Sequence, residues 1–251
     1  MSGHSKWATI KRKKGANDAR RGKIFTRLAK EITIAARDGG GDPEMNARLR
    51  TAVNNAKAQN MPNDNIDRAV KRGTGEVEGV VYEEKLFAGY YGGVAILVGA
   101  VTDNNNRTTA EVRHVFNKYN GKMVDTGSAA IYFEHKGLIT LEESAADEDA
   151  VMEVVIDAGA EDVETEDGVV TVSTPREHFH AVVKALEEAG LPTASAELSY
   201  VPNNTVHVTG DEASGLVRIM NQLDDLDDTA FVAANYDIDD DEMAALQDQL
   251  G

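Results

Sequence analysis

One break divides the chain into two kinds of text. Up to Gly73-Thr74-Gly75-Glu76 every apolar periodicity is helical, and beyond it short strand-like runs alternate with helical ones. The charge changes sign at the same place. Residues 1–74 carry 17 Lys/Arg against 7 Asp/Glu, whereas the other 177 carry 9 against 36, within a net charge of −17. Blocks of opposite sign suit different partners, and a basic head on an acidic chain reads first as a phosphate-backbone binder. The acidic overall balance does not oppose this, because salt screens charges lying more than a Debye length away.

The head predicts three short amphipathic helices. Over residues 18–37, Ile24, Phe25, Leu28, Ile32, Ala35 and Ala36 mark one helical face, and Arg20, Arg21, Lys23, Arg27 and Lys30 fill much of the rest. Asp38-Gly39-Gly40-Gly41 ends this helix, since glycine loses too much backbone entropy to continue it. Asp42-Pro43 predicts the next start, Asp as N-cap and Pro at the first helical position, with a stripe of Met45, Leu49, Val53 and Ala56. A third helix is expected over 63–72, with Gly73 just past its end.

After the break the pattern is α+β. Strands are expected at 82–90 and 94–102 about a glycine turn. A helix at 108–119 follows, with Thr108 and Glu111 in capping-box register, then a strand at 124–134. Next come strand 137–141, helix 147–158, strands near 162–166 and 169–173, helix 175–189 and strand 194–201. This β-α-β-β-α-β order is ferredoxin-like. Residues 206–208, a helix at 212–223 and a strand at 229–237 complete the earlier piece if the second unit is an insertion, because neither remnant alone covers both faces of its sheet. The expected architecture is therefore α+β: an N-terminal three-helix domain plus two ferredoxin-like α/β domains, one inserted in the other. The boundaries are 1–76, 77–134 with 205–251, and 135–204.

Several function classes find no support. The chain has no cysteine, which removes disulfides, thiolate metal sites and cysteine nucleophiles. No apolar run approaches the ~18 residues of a membrane span, and the N-terminus lacks the apolar core of a signal peptide. A cytoplasmic location and no membrane partner are the expectation. His178 and His180 fall about 200° apart around a helix and cannot share a metal on one face. His4, His114, His135 and His207 have no ligand spacing. The run from Asp237 to Glu242 begins like a calcium loop but has Glu242 where the sharp turn needs glycine. Gly73-Thr74-Gly75 lacks the Gly-Lys-Ser/Thr ending of a phosphate loop, and Ser128 lacks the second glycine of a nucleophile elbow. The reading is of a chain that is not an enzyme and has no cofactor and no metal.

Met1-Ser2-Gly3-His4-Ser5-Lys6-Trp7, Ile10-Lys11-Arg12-Lys13-Lys14, Asp18-Ala19-Arg20-Arg21 and Lys23-Ile24-Phe25 resemble the start of the YebC/PmpR family. The likeness continues in Met61-Pro62-Asn63-Asp64-Asn65-Ile66, Arg72-Gly73-Thr74-Gly75, Thr102-Asp103-Asn104-Asn105-Asn106-Arg107-Thr108, Gly121-Lys122 and Gly127-Ser128, and covers essentially the full chain. The resemblance implies a helical N-terminal domain and two α/β domains, one interrupting the other. It also implies a probable transcriptional regulator that binds DNA. Similar proteins, a mitochondrial translational activator among them, act on the ribosome instead, so a ribosome- or ribosomal-RNA-associated translation factor is the alternative.

The candidate nucleic-acid contacts are His4, Ser5, Lys6, Trp7, Lys11, Arg12, Lys13 and Lys14 in the basic arm, then Arg20, Arg21, Lys23, Arg27, Arg68, Lys71 and Arg72 on the helices. Lys and Arg would neutralise phosphates and Trp7 could stack on a base or anchor the arm. Asn105 and Arg107 are secondary candidates, lying between a strand and a helix N-terminus where an anion is favoured, although Asn and Asp also suit such turns for local reasons. DNA and RNA both offer phosphates, and counting cations does not separate them. The oligomeric state is not readable from sequence.

Overall fold

The computed structural model describes residues 18–141, 147–166 and 168–250, apart from the side chains of 18–20, 166, 240 and 247–250. The basic arm before Asp18 lies outside the described residues. Two compact units emerge among the described residues: one gathers 18–23, Val81–Glu134 and 200–250, and the other Ile24–Val80 and His135–Ser199.

In the second unit, α1 (Asp18–Gly39, from Ile24 onward), α2 (Ala47–Ala58) and α3 (Asn63–Gly73) enclose a core of Ile32, Ala35, Ala36, Leu49, Ala52, Ala56, Met61, Ile66 and Ala69. Gly40 ends α1 at φ 88°, with its N–H on the Ala36 carbonyl. The cap of α2 is Asn46, not Asp42. Its Oδ1 accepts the Leu49 N–H, while its Nδ2 donates to the carbonyls of Ala35 and Gly40. An amide serves both helix ends at once; the Asp42 carboxylate has no donor and closes only a local turn with Glu44 N–H. Met45, expected on the apolar stripe, is consequently 84% exposed. Gly73 closes α3 from inside the helix, and the left-handed residue is Gly75 at φ 80°. Gly73 is needed for approach: a Cβ there would lie 2.4 Å from the Thr33 carbonyl oxygen.

The same unit holds a four-stranded sheet in the order β5-β6-β4-β7: β4 (Phe133–Leu141), β5 (Asp162–Glu166), β6 (Val169–Pro175) and β7 (Thr193–Pro202). Its helices α6 (Glu148–Val155) and α7 (Phe179–Glu188) pack Val151, Val155, Phe179, Val182 and Leu186 against Ile139, Val163 and Val172. Asn55 of α2 ties the helices to this sheet. Its Nδ2 donates to the Ala196 carbonyl at 2.7 Å and its Oδ1 accepts the Ala196 N–H at 2.9 Å, so one side chain occupies the outward ladder positions of edge strand β7.

The first unit is built on a sheet in the order β3-β1-β2-β9: β1 (Glu83–Tyr91), β2 (Val94–Thr102), β3 (Lys122–Val124) and β9 (Thr229–Ala234). Gly92 and Gly93 at φ 52° and 85° make the β1–β2 turn, the left-handed pair a tight hairpin favours. β2 is buried from end to end because both faces are covered. On one side α4 (Asn105–Lys118) and α8 (Gly210–Asp224) cover Val94, Ile96 and Val98. On the other, Ala129 of α5 (Thr126–Ala130) and Phe133 meet Ala95 and Leu97.

Local order departs from the sequence expectation elsewhere as well. The single strand expected over 124–134 is β3, then α5 capped by Asp125, then the start of β4, which runs on unbroken through the separate strand expected at 137–141. The strand expected over 229–237 is broken at Asn235 into β9 and β10 (Tyr236–Asp237), the latter paired with β8 (Val206–His207). Asn235 uses Oδ1 to accept the Ala95 N–H and its own N–H to reach the Ala95 carbonyl. α4 starts three residues early, capped by Asn104 rather than by Thr108. The 240–250 stretch, where the sequence predicts no element, is α9 (Asp240–Leu250), and its Glu242 carboxylate accepts the Gly210 N–H at the start of α8.

Candidate nucleic-acid interface

His4, Ser5, Lys6, Trp7, Lys11, Arg12, Lys13 and Lys14 lie outside the described residues, as does the side chain of Arg20. The described candidates divide between the units. In the second unit, Lys71 and Arg72 are exposed on the last turn of α3, and Arg68 is exposed one turn before them. Their spacing of three and four residues places them on one side of the helix. Each lacks an ion-pair partner among the described residues. Cations at a helix C-terminus also stabilise the helix dipole, so part of their role is local. Arg27 is half-buried on α1, and Lys30 one turn on is only 8% exposed.

The head carries cations that lie outside the basic runs. On α2, Arg48 Nε meets Glu31 at 2.9 Å, with Nη1 3.6 Å from Asp38, and Arg50 Nη1 donates to the Pro43 carbonyl. Burial first, and then the nearby Arg50 and Arg48 guanidinia, hold the His180 imidazole of α7 below the usual histidine range. The signal for Arg48 and Arg50 is the charge surplus of the whole head; nothing in the sequence places His180 beside them.

In the first unit Arg21 is exposed, and Lys23 is engaged by the acidic part of the chain. Its Nζ donates to the Asp225 carbonyl at 2.8 Å and lies 3.1 Å from the Asp225 carboxylate. The 103–107 loop is engaged as well. Arg107 Nη2 reaches Asp103 Oδ1 at 2.8 Å and Asp228 Oδ2 at 2.6 Å, and the bonds to Asp228 and Asp103 raise its pKa further. Asp228 is only 4% exposed, and its Oδ2 also accepts the hydroxyls of Thr102 at 2.9 Å and Thr108 at 2.7 Å. Asn104 spends its side chain on the cap, and Asn105 is exposed. The geometry of this loop is that of a clamp on Asp228, joining the end of β2, the start of α4 and the approach to β9.

Among the described residues no group of His, Asp and Glu is arranged to hold a metal ion, and no helix is long and apolar enough to cross a membrane. The arrangement is thus one of exposed cations and internal ion pairs.

Comparison with known proteins places this architecture. Residues 5–76 match the family model described as the TACO1/YebC protein N-terminal domain, and residues 82–236 match that of the TACO1/YebC second and third domain. A protein of Desulfatibacillum aliphaticivorans named "Probable transcriptional regulatory protein" is 53% identical over 242 residues, 96% of this chain and 98% of its own length. One from Acidithiobacillus ferrooxidans with the same name is 54% identical over 248 residues, 98% and 99% of the two chains. The crystal structure of a conserved hypothetical protein from Aquifex aeolicus superposes with a TM-score of 0.82 at 43% identity, covering 89% of this chain and 93% of that one.

Proposed function

The chain belongs to the TACO1/YebC family, and from that premise we propose that it is a regulator of gene expression that binds nucleic acid through its basic head, with DNA as the ligand. The naming of its relatives as probable transcriptional regulatory proteins supports the regulatory part. One observation carries the binding part: in a chain of net charge −17, the exposed end of α3 collects Arg68, Lys71 and Arg72 without a carboxylate partner among the described residues. Three exposed cations on one side of a helix end can neutralise backbone phosphates, the contacts that position a protein on nucleic acid. The basic arm from Lys6 to Lys14 and Arg20, Arg21 and Arg27 extend the same chemistry.

The test is fluorescence anisotropy of the full chain with a labelled random-sequence DNA duplex and, in parallel, a labelled RNA hairpin, across a salt series. Changing Arg68, Lys71 and Arg72 together to alanine should weaken duplex binding and flatten the plot of log K against log[salt] by about 2–3 units, at about 0.9 for each phosphate that is no longer neutralised. An unchanged slope would show that these side chains do not reach phosphate. Preference for the hairpin over duplex would move the reading to structured RNA and the translation-factor alternative.

A further inference from the structure

The acidic loop after α8 already holds a cation from the basic head. Asp225 is the C-cap of α8, so its carbonyl is one of the unsatisfied acceptors at the negative end of a helix of 15 residues. Lys23 Nζ donates to that carbonyl at 2.8 Å and meets the carboxylate of the same residue at 3.1 Å. Asp224 and Asp227 flank it and add their negative potential. An ammonium here meets anionic oxygen, as it would at a phosphate, together with a helix C-terminus and neighbouring negative charge.

Contacts that do not involve Lys23 also hold the loop in shape. The Thr229 hydroxyl donates to the Leu223 carbonyl at 2.7 Å, and the Val101 N–H to the Asp228 carbonyl at 2.8 Å. The Asp228 carboxylate is clamped by Thr102, Thr108 and Arg107. A fixed acceptor loses little entropy on taking its cation, which favours holding Lys23 over releasing it.

We propose that the 224–228 loop is an intramolecular competitor for nucleic acid, holding Lys23 through Asp225 so that a backbone phosphate must displace the carboxylate to gain that contact. The inference rests on the reading that the basic head binds nucleic acid.

Exposed ion pairs are individually weak, so the effect is a modest brake on affinity. Asp225→Asn in the full chain should tighten binding of the labelled duplex about two- to five-fold in 50 mM salt, the range an exposed pair allows. The gain should vanish in a Lys23→Ala background and fade at high salt, where the pair is screened. Asp211→Asn removes the same charge at the other end of α8 and should change affinity by less than about half as much on the same energetic scale. Equal tightening by Asp225→Asn and Asp211→Asn, or a gain that survives Lys23→Ala, overturns the competitor and leaves nucleic-acid binding standing. No binding of either duplex or hairpin by the wild type and by Asp225→Asn overturns the binding reading, and the competitor with it.

Discussion

Replacing Asp228 by alanine tests how the first unit is held closed. The carboxylate is 4% exposed, and a single oxygen, Oδ2, accepts the Thr102 and Thr108 hydroxyls. Those threonines are 1% and 0% exposed, so their hydroxyls depend on acceptors inside the protein. A hydrogen bond to a charged group contributes about 1.5–3 kcal/mol, and the low end applies because Thr108 keeps the Asn104 carbonyl and Thr102 as further partners. Two such bonds amount to about 3 kcal/mol. The Arg107 contact adds less, since the guanidinium is open to solvent and partly screened. Asp228→Asn keeps the shape and a neutral acceptor, and because charge-assisted bonds are roughly twice as strong as neutral ones it should lose about half, ~1.5 kcal/mol. Native-state hydrogen exchange read by mass spectrometry separates the units. In Asp228→Ala, peptides from β2, α4 and β9 should exchange about a hundred-fold faster, with β4–β6 peptides of the second unit as the internal control. Acceleration of less than about three-fold in those segments, or equal acceleration in the control, would refute the clamp.

Two further outcomes are expected. Asn55→Ala removes both bonds to Ala196 and leaves the edge of β7 to water; a loss of about 1–3 kcal/mol by thermal or urea unfolding and faster exchange of the Ala196 amide should follow. Burial, followed by Arg176, lowers the His135 pKa, and burial, followed by Arg50 and Arg48, lowers that of His180. The unfolded chain then takes up protons first, so the second unit should lose stability as pH falls below about 6.5, the unfolded histidine value. His180→Gln should flatten that pH dependence, and NMR titration of the ring should give a midpoint below the ordinary one.

Helices and strands with one clean periodicity were legible: the α1 stripe from Phe25 to Ala36, the buried run of β2, and the order of elements in the inserted sheet. What stayed out of reach was side chains whose partners lie far away in sequence. Thr108 stands in capping-box register with Glu111, yet its hydroxyl is drawn to Asp228, 120 residues on. Asn46 outcompetes Asp42 because two carbonyls ending α1 need a donor, a demand that exists only once α1 has folded against α2. Arg107 reads as an anion contact because the turn before a helix invites one, and only Asp228 shows what it engages. The same blindness covers Lys23, whose partner is 202 positions away. Local propensity sees caps and stripes; it does not see the other half of a clamp.

The passage of β4 from the first unit into the second at Glu134–His135, and of β7 back again at Ser199–Tyr200, sets the order in which a nascent chain can settle. β2 receives its neighbour β9 only when residues 229–234 have been made, more than 125 positions after β2 itself. Until then one edge of the apolar strand from Val94 to Val101 stands unpaired while α8, one of the two helices covering Ile96 and Val98, is also still to come. The three helices and the inserted sheet have all their residues by Ser199 and can close first. During synthesis the first unit is therefore a half-built sheet waiting for its last strand, and slowing translation between residues 141 and 229 prolongs the interval in which that edge can pair with another chain.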